Sequence, residues 1–471
     1  MVTLDDMQLI SQTGPGTSMG NLIRRYWIPA LLTEELPEPD GDPKQIRLLG
    51  EDLVAFRDTS GQVGIVGLNC PHRGASLALG RNEEGGLRCL YHGWKVDVTG
   101  RILDTPCEPP TSRFKDRIRH RAYRTIEAGD IVWVYMGTEQ EPPPLPDFPW
   151  LSVPAKRRSV AKMYQKCNYL QGLEGVLDSY HASVLHSGYH LMHWTPEQIF
   201  AATGRRPTDS ARAAYGVTAT FGEIQSRVTD YGFQYAAART SLSGSDLIYY
   251  RLSEFVFPFS VMVPPPISPQ EKASAWYTSN PFIFVPIDDY NCWFMEIVAS
   301  DLESVPDDPD ILSRPIRPPA APDKLGNIDH DQHVRERNYK IGVDLTEDYK
   351  PVRNAANNFL QDREMMRQKK DARSFSGIDT AAQPQDQAVL ETMGTVLDRF
   401  PQEHLCSSDG AIIKWREYMA DTAKTFEKTG AAPGQQGGGG NYRDIRASSS
   451  FMPPSADWQQ ARYDRRGEFS F

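Results

Sequence analysis

Two groups of residues in this 471-residue chain have the types and spacing to do chemistry. The segment from Cys167 to His186 carries Asp178, His181 and His186 among Leu170, Leu173, Val176, Leu177, Val184 and Leu185. Apolar residues recurring at three and four positions read as a buried amphipathic helix. An acid and two imidazoles in such a helix are costly to bury unless they bind something. Two histidines and a carboxylate with open positions form the ligand set of a non-haem Fe(II) that activates dioxygen. Two satisfied core histidines are the plainer reading of His181 and His186 by themselves.

Helix geometry narrows the choice. Asp178 lies three positions before His181 and can accept its second ring N–H. Residues five apart do not share a face of a regular helix. For His181 and His186 to meet, the helix must bulge or end between them, with Ala182-Ser183 as the expected place.

The second group lies about a hundred residues earlier, as Cys70-Pro-His72-Arg-Gly-Ala and Cys89-Leu-Tyr-His92-Gly-Trp94. Spacing alone favours zinc for two Cys-plus-His pairs. Pro71, Gly74 and Gly93 make each box a tight loop, and each loop offers one thiolate and one imidazole. A Rieske [2Fe–2S] centre needs that set: two Cys on one iron and two His on the other.

At these boxes the chain resembles the Rieske non-haem iron oxygenases. The pattern N-x2-Q-x2-E-x3-D-x2-H-x4-H over Asn168–His186 resembles their mononuclear-iron box. The resemblance implies Cys70, His72, Cys89 and His92 as cluster ligands, with Trp94 packed beside the cluster, and His181 and His186 as iron ligands. A third, carboxylate ligand must come from elsewhere. Gln361-Asp362-Arg-Glu-Met-Met looks like the phthalate dioxygenase branch, which implies Asp362; the later run from Thr392 to Arg416 resembles the same branch. The family further implies that Asp178 links His181 to a cluster histidine of the next subunit, in a homotrimer or a multiple of it. It implies an aromatic carboxylate and O2 as substrates. Arg239 and Arg251, on expected pocket strands, are candidates for the carboxylate, with Phe255, Phe257 and Val263 shaping the ring slot.

The elements that must position these residues follow from composition and pattern. Residues 1–40 read as an entry segment. Short alternating strands over 41–145, divided by turns such as Asp58–Gly61, read as a small all-β domain. A Pro-dense stretch, Glu141–Trp150, marks a boundary. Residues 150–428 read as the catalytic domain, with strands at 214–221, 231–239, 246–252, 282–286 and 290–298. The fold class is α+β: a Rieske domain followed by what the family calls a helix-grip domain, a large antiparallel sheet with helices. The tail, 429–471, has little apolar content and reads as linker and surface strand. His190 and His193 read as pocket or packing residues, Asp329–His333 as a plain loop, and Cys107 as structural.

Net charge of −10 argues against nucleic acid or an anionic membrane as partner. No apolar run is long enough to span a bilayer, and the start lacks a secretory signature. Six sparse cysteines make no disulfide framework. A cytoplasmic enzyme is expected. No G-x-G-x-x-G unit for a nicotinamide is present, so electrons come from a separate NADH-dependent reductase, which the resemblance gives a flavin and a [2Fe–2S] cluster. The expected activity is dioxygenation of an aromatic acid such as a phthalate, chlorobenzoate or phenoxybenzoate. A Rieske monooxygenase or O-demethylase with the same metals, and a non-catalytic Rieske carrier, are the alternatives.

Overall fold

In the computed structural model the two Cys-His loops stand at the tip of a four-stranded antiparallel sheet, β5 (Arg81–Glu83), β6 (Gly86–Arg88), β7 (Lys95–Val96) and β8 (Ile102–Asp104). The structure describes residues 2–139, 141–186, 224–240, 248–264, 280–300, 339–340, 343–368, 373–378, 382–435, 442–458, 462–463 and 469–470. The small sheet packs on a six-stranded sheet ordered β1-β10-β9-β4-β3-β2, from β1 (Trp27–Leu32), β2 (Lys44–Leu48), β3 (Glu51–Arg57), β4 (Val63–Gly67), β9 (Ala122–Ala128) and β10 (Ile131–Tyr135). Val54, Phe56, Val66, Leu77, Leu87 and Trp94 form the core between them. The expected entry segment is divided: Trp27–Leu32 pairs with Ile131–Tyr135 as a strand of this domain. Its unbroken apolar run, buried at every position, lacks the alternation that marks a half-buried strand.

The second domain is built on one antiparallel sheet in the order β11-β17-β16-β15-β14-β13-β12. These strands are β11 (Arg158–Gln165), β12 (Ile224–Val228), β13 (Gly232–Thr240), β14 (Ile248–Val256), β15 (Ser260–Met262), β16 (Pro281–Pro286) and β17 (Cys292–Ala299). The strand expected at 214–221, the residues His190 and His193, and the segment Asp329–His333 lie outside the described residues. The tail supplies more than a surface strand. Ser448–Met452 pairs with β14, and Met452, Tyr442, Ile445 and Trp458 are buried. A few large side chains suffice to anchor it, which mean composition does not register.

Helix α1 (Leu4–Ser11) and α2 (Ser18–Ile23) pack on a long C-terminal helix, Gly410–Thr429. Helix α3 (Tyr169–Leu177) begins at Asn168, whose side chain accepts from Leu170 N, and ends at Asp178 in extended conformation. It lies on β16 so closely that a Cβ on Gly172 would stand 2.2 Å from Phe284 Cδ1. Only glycine allows this approach, so the height of α3 over the sheet is set at that point.

The two domains are joined through buried contacts. Leu49 N and Gly50 N donate to Pro286 and Ile287 carbonyls at 3.0 and 2.8 Å. The buried Lys162 pairs with Glu35 at 2.7 Å.

Candidate metal centres and cavity

The Cys70 and Cys89 loops have matching backbones. Gly74 N donates to Cys70 O and Gly93 N to Cys89 O, while Cys70 N and Cys89 N donate to Ala75 O and Trp94 O. Gly74 and Gly93 hold φ of +77° and +71°, the left-handed region in which a Cβ is strained. Both thiols are buried. The His72 and His92 rings lie 4.5 Å apart at the outer end, and His72 stacks on Trp94 at 4.8 Å. Burial, and the adjoining Cys89, push the Cys70 thiol up to about 11. Buried His92 Nδ1 has no hydrogen-bond partner. Two thiols packed together and an orphaned ring nitrogen are a donor set that lacks only its acceptor, and it fits a Rieske cluster. Cys107 is exposed, its thiol 3.7 Å from the His92 carbonyl.

At the second site the chain resumes helical form at His181 and passes into a π-type turn, Ala182–His186. Asp178, His181 and His186 therefore do not share one helix; α3 stops before them. A π turn bonds residues five apart and brings them to one side. His181 Nε2 and His186 Nε2 face each other at 3.1 Å.

The carboxylate that joins them is Asp386, not Asp362. Asp386 Oδ1 lies 3.1 Å from His186 Nε2 and 3.4 Å from His181 Nε2. Among the described residues this is the one group whose ligand atoms converge on a point that could hold a metal ion. Asp362 is exposed and accepts from Met365 N at 2.9 Å, capping the short helix Arg363–Gln368. Asp386 sits on helix α4 (Ala382–Thr392), which packs over α3 and the π turn. The chain holds two Gln-Asp pairs, at 361–362 and 385–386. Only the second lies on an eleven-residue helix with a buried face, which the dipeptide itself does not announce.

Supporting contacts set the rings. His186 Nδ1–H donates to Gln385 Oε1 at 2.8 Å, and Gln385 is itself held by Ile378 O. This leaves the His186 Nε2 lone pair pointing at Asp386. Asp178 Oδ1 accepts from Tyr180 N at 2.7 Å, and its Oδ2 lies 3.6 Å from His181 Nδ1, an ionic rather than a hydrogen-bonding distance. Burial opposes charge on His181, but Asp178 and Asp386 outweigh it and hold the ring up at about 10. Burial also works against the Asp386 carboxylate, and the two imidazoles hold it well below the usual range. The donor set fits a divalent cation.

Against this site lies a cavity of about 230 Å³ with an apolar body that includes Val176, Phe282, Phe284, Phe294 and Leu390. Arg251, Ser253 and Tyr235 line one wall. The two candidate arginines separate. Arg251 reaches the cavity, whereas Arg239 is buried and donates to Ser179 O and Oγ at 2.5 and 3.0 Å. Arg239 thereby holds the turn between Asp178 and His181. Strand alternation could not settle this, because both residues sit on central strands and only the α3 turn decides which is reached. Val263 lines the cavity, while Phe255 and Phe257 pack in the core beside Trp415 and Tyr26.

On the outer side of α4 a second concavity of about 200 Å³ is lined by Asp178, His181, Asp386, Val389, Met393 and Leu405, among others. Beneath it Glu174 of α3 is buried between Arg399 and Arg416, at 2.6 Å from each, and both arginines also pair with Glu403. Arg416 lies on helix α5 (Gly410–Thr429), so the network ties α5 to α3. No described helix is long and apolar enough to cross a membrane.

The family of Rieske [2Fe–2S] domains matches residues 26–115, and the family of LigXa C-terminal-like domains matches 134–310 and 322–468. The chain is 34% identical to the phthalate 4,5-dioxygenase oxygenase subunit of Pseudomonas putida, over 98% of this chain and 96% of that one. It is also 34% identical to the 3-chlorobenzoate-3,4-dioxygenase oxygenase subunit of Comamonas testosteroni, over 99% of each. The crystal structure of dicamba monooxygenase bound to 3,6-dichlorosalicylic acid shares the fold, with a TM-score of 0.53 at 17% identity over 87% of this chain and 99% of that one.

Proposed function

Because this chain belongs to the Rieske non-haem iron oxygenases, in the branch of the phthalate dioxygenase oxygenase subunits, we propose that it hydroxylates an aromatic carboxylate with O2. Family membership makes it an oxidoreductase whose cofactors are a Rieske [2Fe–2S] cluster and a mononuclear non-haem iron. Cys70, His72, Cys89 and His92 would hold the first, and His181, His186 and Asp386 the second. When bound, the cluster supplies electrons singly and the iron activates dioxygen.

The observation that carries the substrate class is an arginine, Arg251, on the wall of a largely apolar cavity beside the His181–His186–Asp386 site. A guanidinium can bind a carboxylate through two parallel hydrogen bonds. The phenylalanine walls seat a ring and keep water from the reacting carbons. Phthalate and 3-chlorobenzoate, named for two full-length relatives, are acids of this kind.

Asp178 is the proposed link to a neighbouring chain. One side of its carboxylate faces His181, and it also lines the outer concavity. On the Rieske domain, Leu90 and Tyr91, 62% and 56% exposed, flank the His92 loop, and Phe114 lies near Trp94. On the catalytic domain Val389, Met393 and Leu405 are exposed at the concavity. Matching apolar rims around a histidine pair and an acid favour head-to-tail association of copies, which can close into a ring; three copies is the number the family resemblance implies. Electrons would enter from an NADH-dependent reductase carrying flavin and [2Fe–2S].

The test is oxygen uptake by the holoprotein with reductase and NADH over a panel of substituted benzoates and phthalates, with product analysis. A dihydroxylated ring formed in step with oxygen consumed is expected. Oxygen returned only as peroxide with every acid would overturn the substrate class. A singly oxygenated product would replace the dioxygenase with a monooxygenase using the same residues.

A further inference from the structure

The cavity has polar groups besides Arg251. Glu296, on β17, is 9% exposed and lies beside Phe282 across the sheet and Phe294 along its own strand. Among the described residues no cation approaches it; its partners are the amides of Asn280 and Gln383. Gln383 Nε2 donates to Glu296 Oε2 at 3.3 Å. Both amides line the cavity, and Glu296 stands behind them.

A buried carboxyl held only by neutral amides is expensive. Burial pushes Glu296 up to about 7. Glu254, also pushed up to about 7, offers a contrast: it takes a hydrogen bond from Tyr231 at 2.7 Å and another from Gln234, and its strand neighbour Ser253, not Glu254, lines the cavity. The Glu296 group also leaves something unfinished. With the Asn280 N–H given to the carboxyl, Asn280 Oδ1 is buried and has no partner. An orphaned carbonyl oxygen on a cavity wall calls for a donor from a ligand.

We propose that Asn280, Gln383 and Glu296 form a second anchor that takes the hydroxyl of a hydroxylated aromatic carboxylate while Arg251 takes its carboxylate group. The inference rests on the aromatic-acid reading above and narrows it. The phenolic O–H donates to Asn280 Oδ1, and Glu296 fixes the amide so that its oxygen, not its nitrogen, faces the ring. Between Glu296 on β17 and Arg251 on β14 lie β16 and β15, and the phenylalanines of β16 and β17 fill the intervening wall.

The experiment is calorimetric binding of benzoate, the three hydroxybenzoates and phenol to the holoprotein with its cluster oxidised, in wild type, Asn280→Ala and Glu296→Gln. At least one hydroxybenzoate should bind about tenfold tighter than benzoate, the worth of one well-made buried hydrogen bond. That ratio should fall below about threefold in both variants, by the same reasoning. Glu296→Gln conserves volume and guards against a misfolded Asn280→Ala, and the visible spectrum of the cluster reports folding of each. If benzoate binds as tightly as every hydroxybenzoate, or the preference survives both substitutions, the anchor is wrong while the carboxylate reading stands. If phenol binds as tightly as the preferred hydroxybenzoate, the carboxylate reading is wrong while the hydroxyl anchor stands.

Discussion

The Nδ1–H of His186 donates to Gln385 Oε1 at 2.8 Å, and the next residue, Asp386, presents a carboxylate oxygen 3.1 Å from the other nitrogen of the same ring. Adjacent residues of one helix thus fix the tautomer of a candidate ligand and stand beside it as another candidate. Asp386→Ala should leave the visible spectrum of the cluster intact and remove the mononuclear iron, so that only the cluster's two irons are counted. Asp362→Ala should retain all the metal and cost about 1 kcal/mol of stability as a lost helix cap. Iron analysis of the two proteins decides between the acids. Gln385→Leu, which keeps every ligand, should weaken the mononuclear metal about 10- to 100-fold in competition with a chelator.

The arginines should part in kinetics. Arg251→Gln removes a charge-assisted partner of the substrate carboxylate worth about 1.5–3 kcal/mol, so the dissociation constant of an aromatic acid should rise tenfold or more. Arg239→Gln should leave that constant within about twofold while slowing single turnover, because Arg239 holds Ser179 between Asp178 and His181. Equal loss of binding in both variants would return Arg239 to the substrate.

Glu174 links α3 to α5, and its charge is a source of stability with a definite pH range. Burial alone would raise its carboxyl, but Arg416 and Arg399 outweigh burial and hold it below its ordinary value of 4.5. The folded value is depressed, so the contribution is fully present above the unfolded value and is lost as pH falls through the folded one. Glu174→Gln should therefore be less stable than wild type by about 3 kcal/mol at pH 7, the cost of breaking a buried pair. That difference should shrink on acidification below about pH 4.5 as the wild-type carboxyl protonates. Denaturant titrations at several pH values read it directly, and a difference independent of pH would assign Glu174 to packing alone.

How far the site could be read from sequence depended on whether its candidate ligands were local. Cys70 and His72, and Cys89 and His92, sit in loops with their own turn glycines, so each box states its chemistry in a few residues. The His181–His186 spacing forced a distortion, and the chain supplies it as a helix end at Leu177 followed by a π turn. Asp386 lies two hundred residues further on, where no spacing rule applies, and the earlier Gln361-Asp362 offered the same dipeptide. What separates the two is the packing of α4 over the π turn, a tertiary fact. The direction of Arg239 was hidden for the same reason. The first strand, Trp27–Leu32, carries no alternation because it is buried on both faces.

The outer concavity and the Rieske tip make the last prediction, which concerns assembly. Asp178 faces His181 from one side and solvent from the other, within reach of whatever docks there. If the docking element is the His72–His92 tip of another copy, two substitutions should give different failures. Met393→Glu places a charge on the apolar rim, and should shift the protein toward monomer in sedimentation while each chain keeps its cluster and iron. Asp178→Asn preserves size and the rim, and should remain assembled. In single turnover of the fully reduced protein both should lose electron transfer from cluster to iron by orders of magnitude. Met393→Glu should recover part of it at high protein concentration, because mass action restores the interface. Asp178→Asn should not recover, because its defect lies within the assembled ring. Concentration-independent, normal transfer in Asp178→Asn would remove the acid from the path between the two metals.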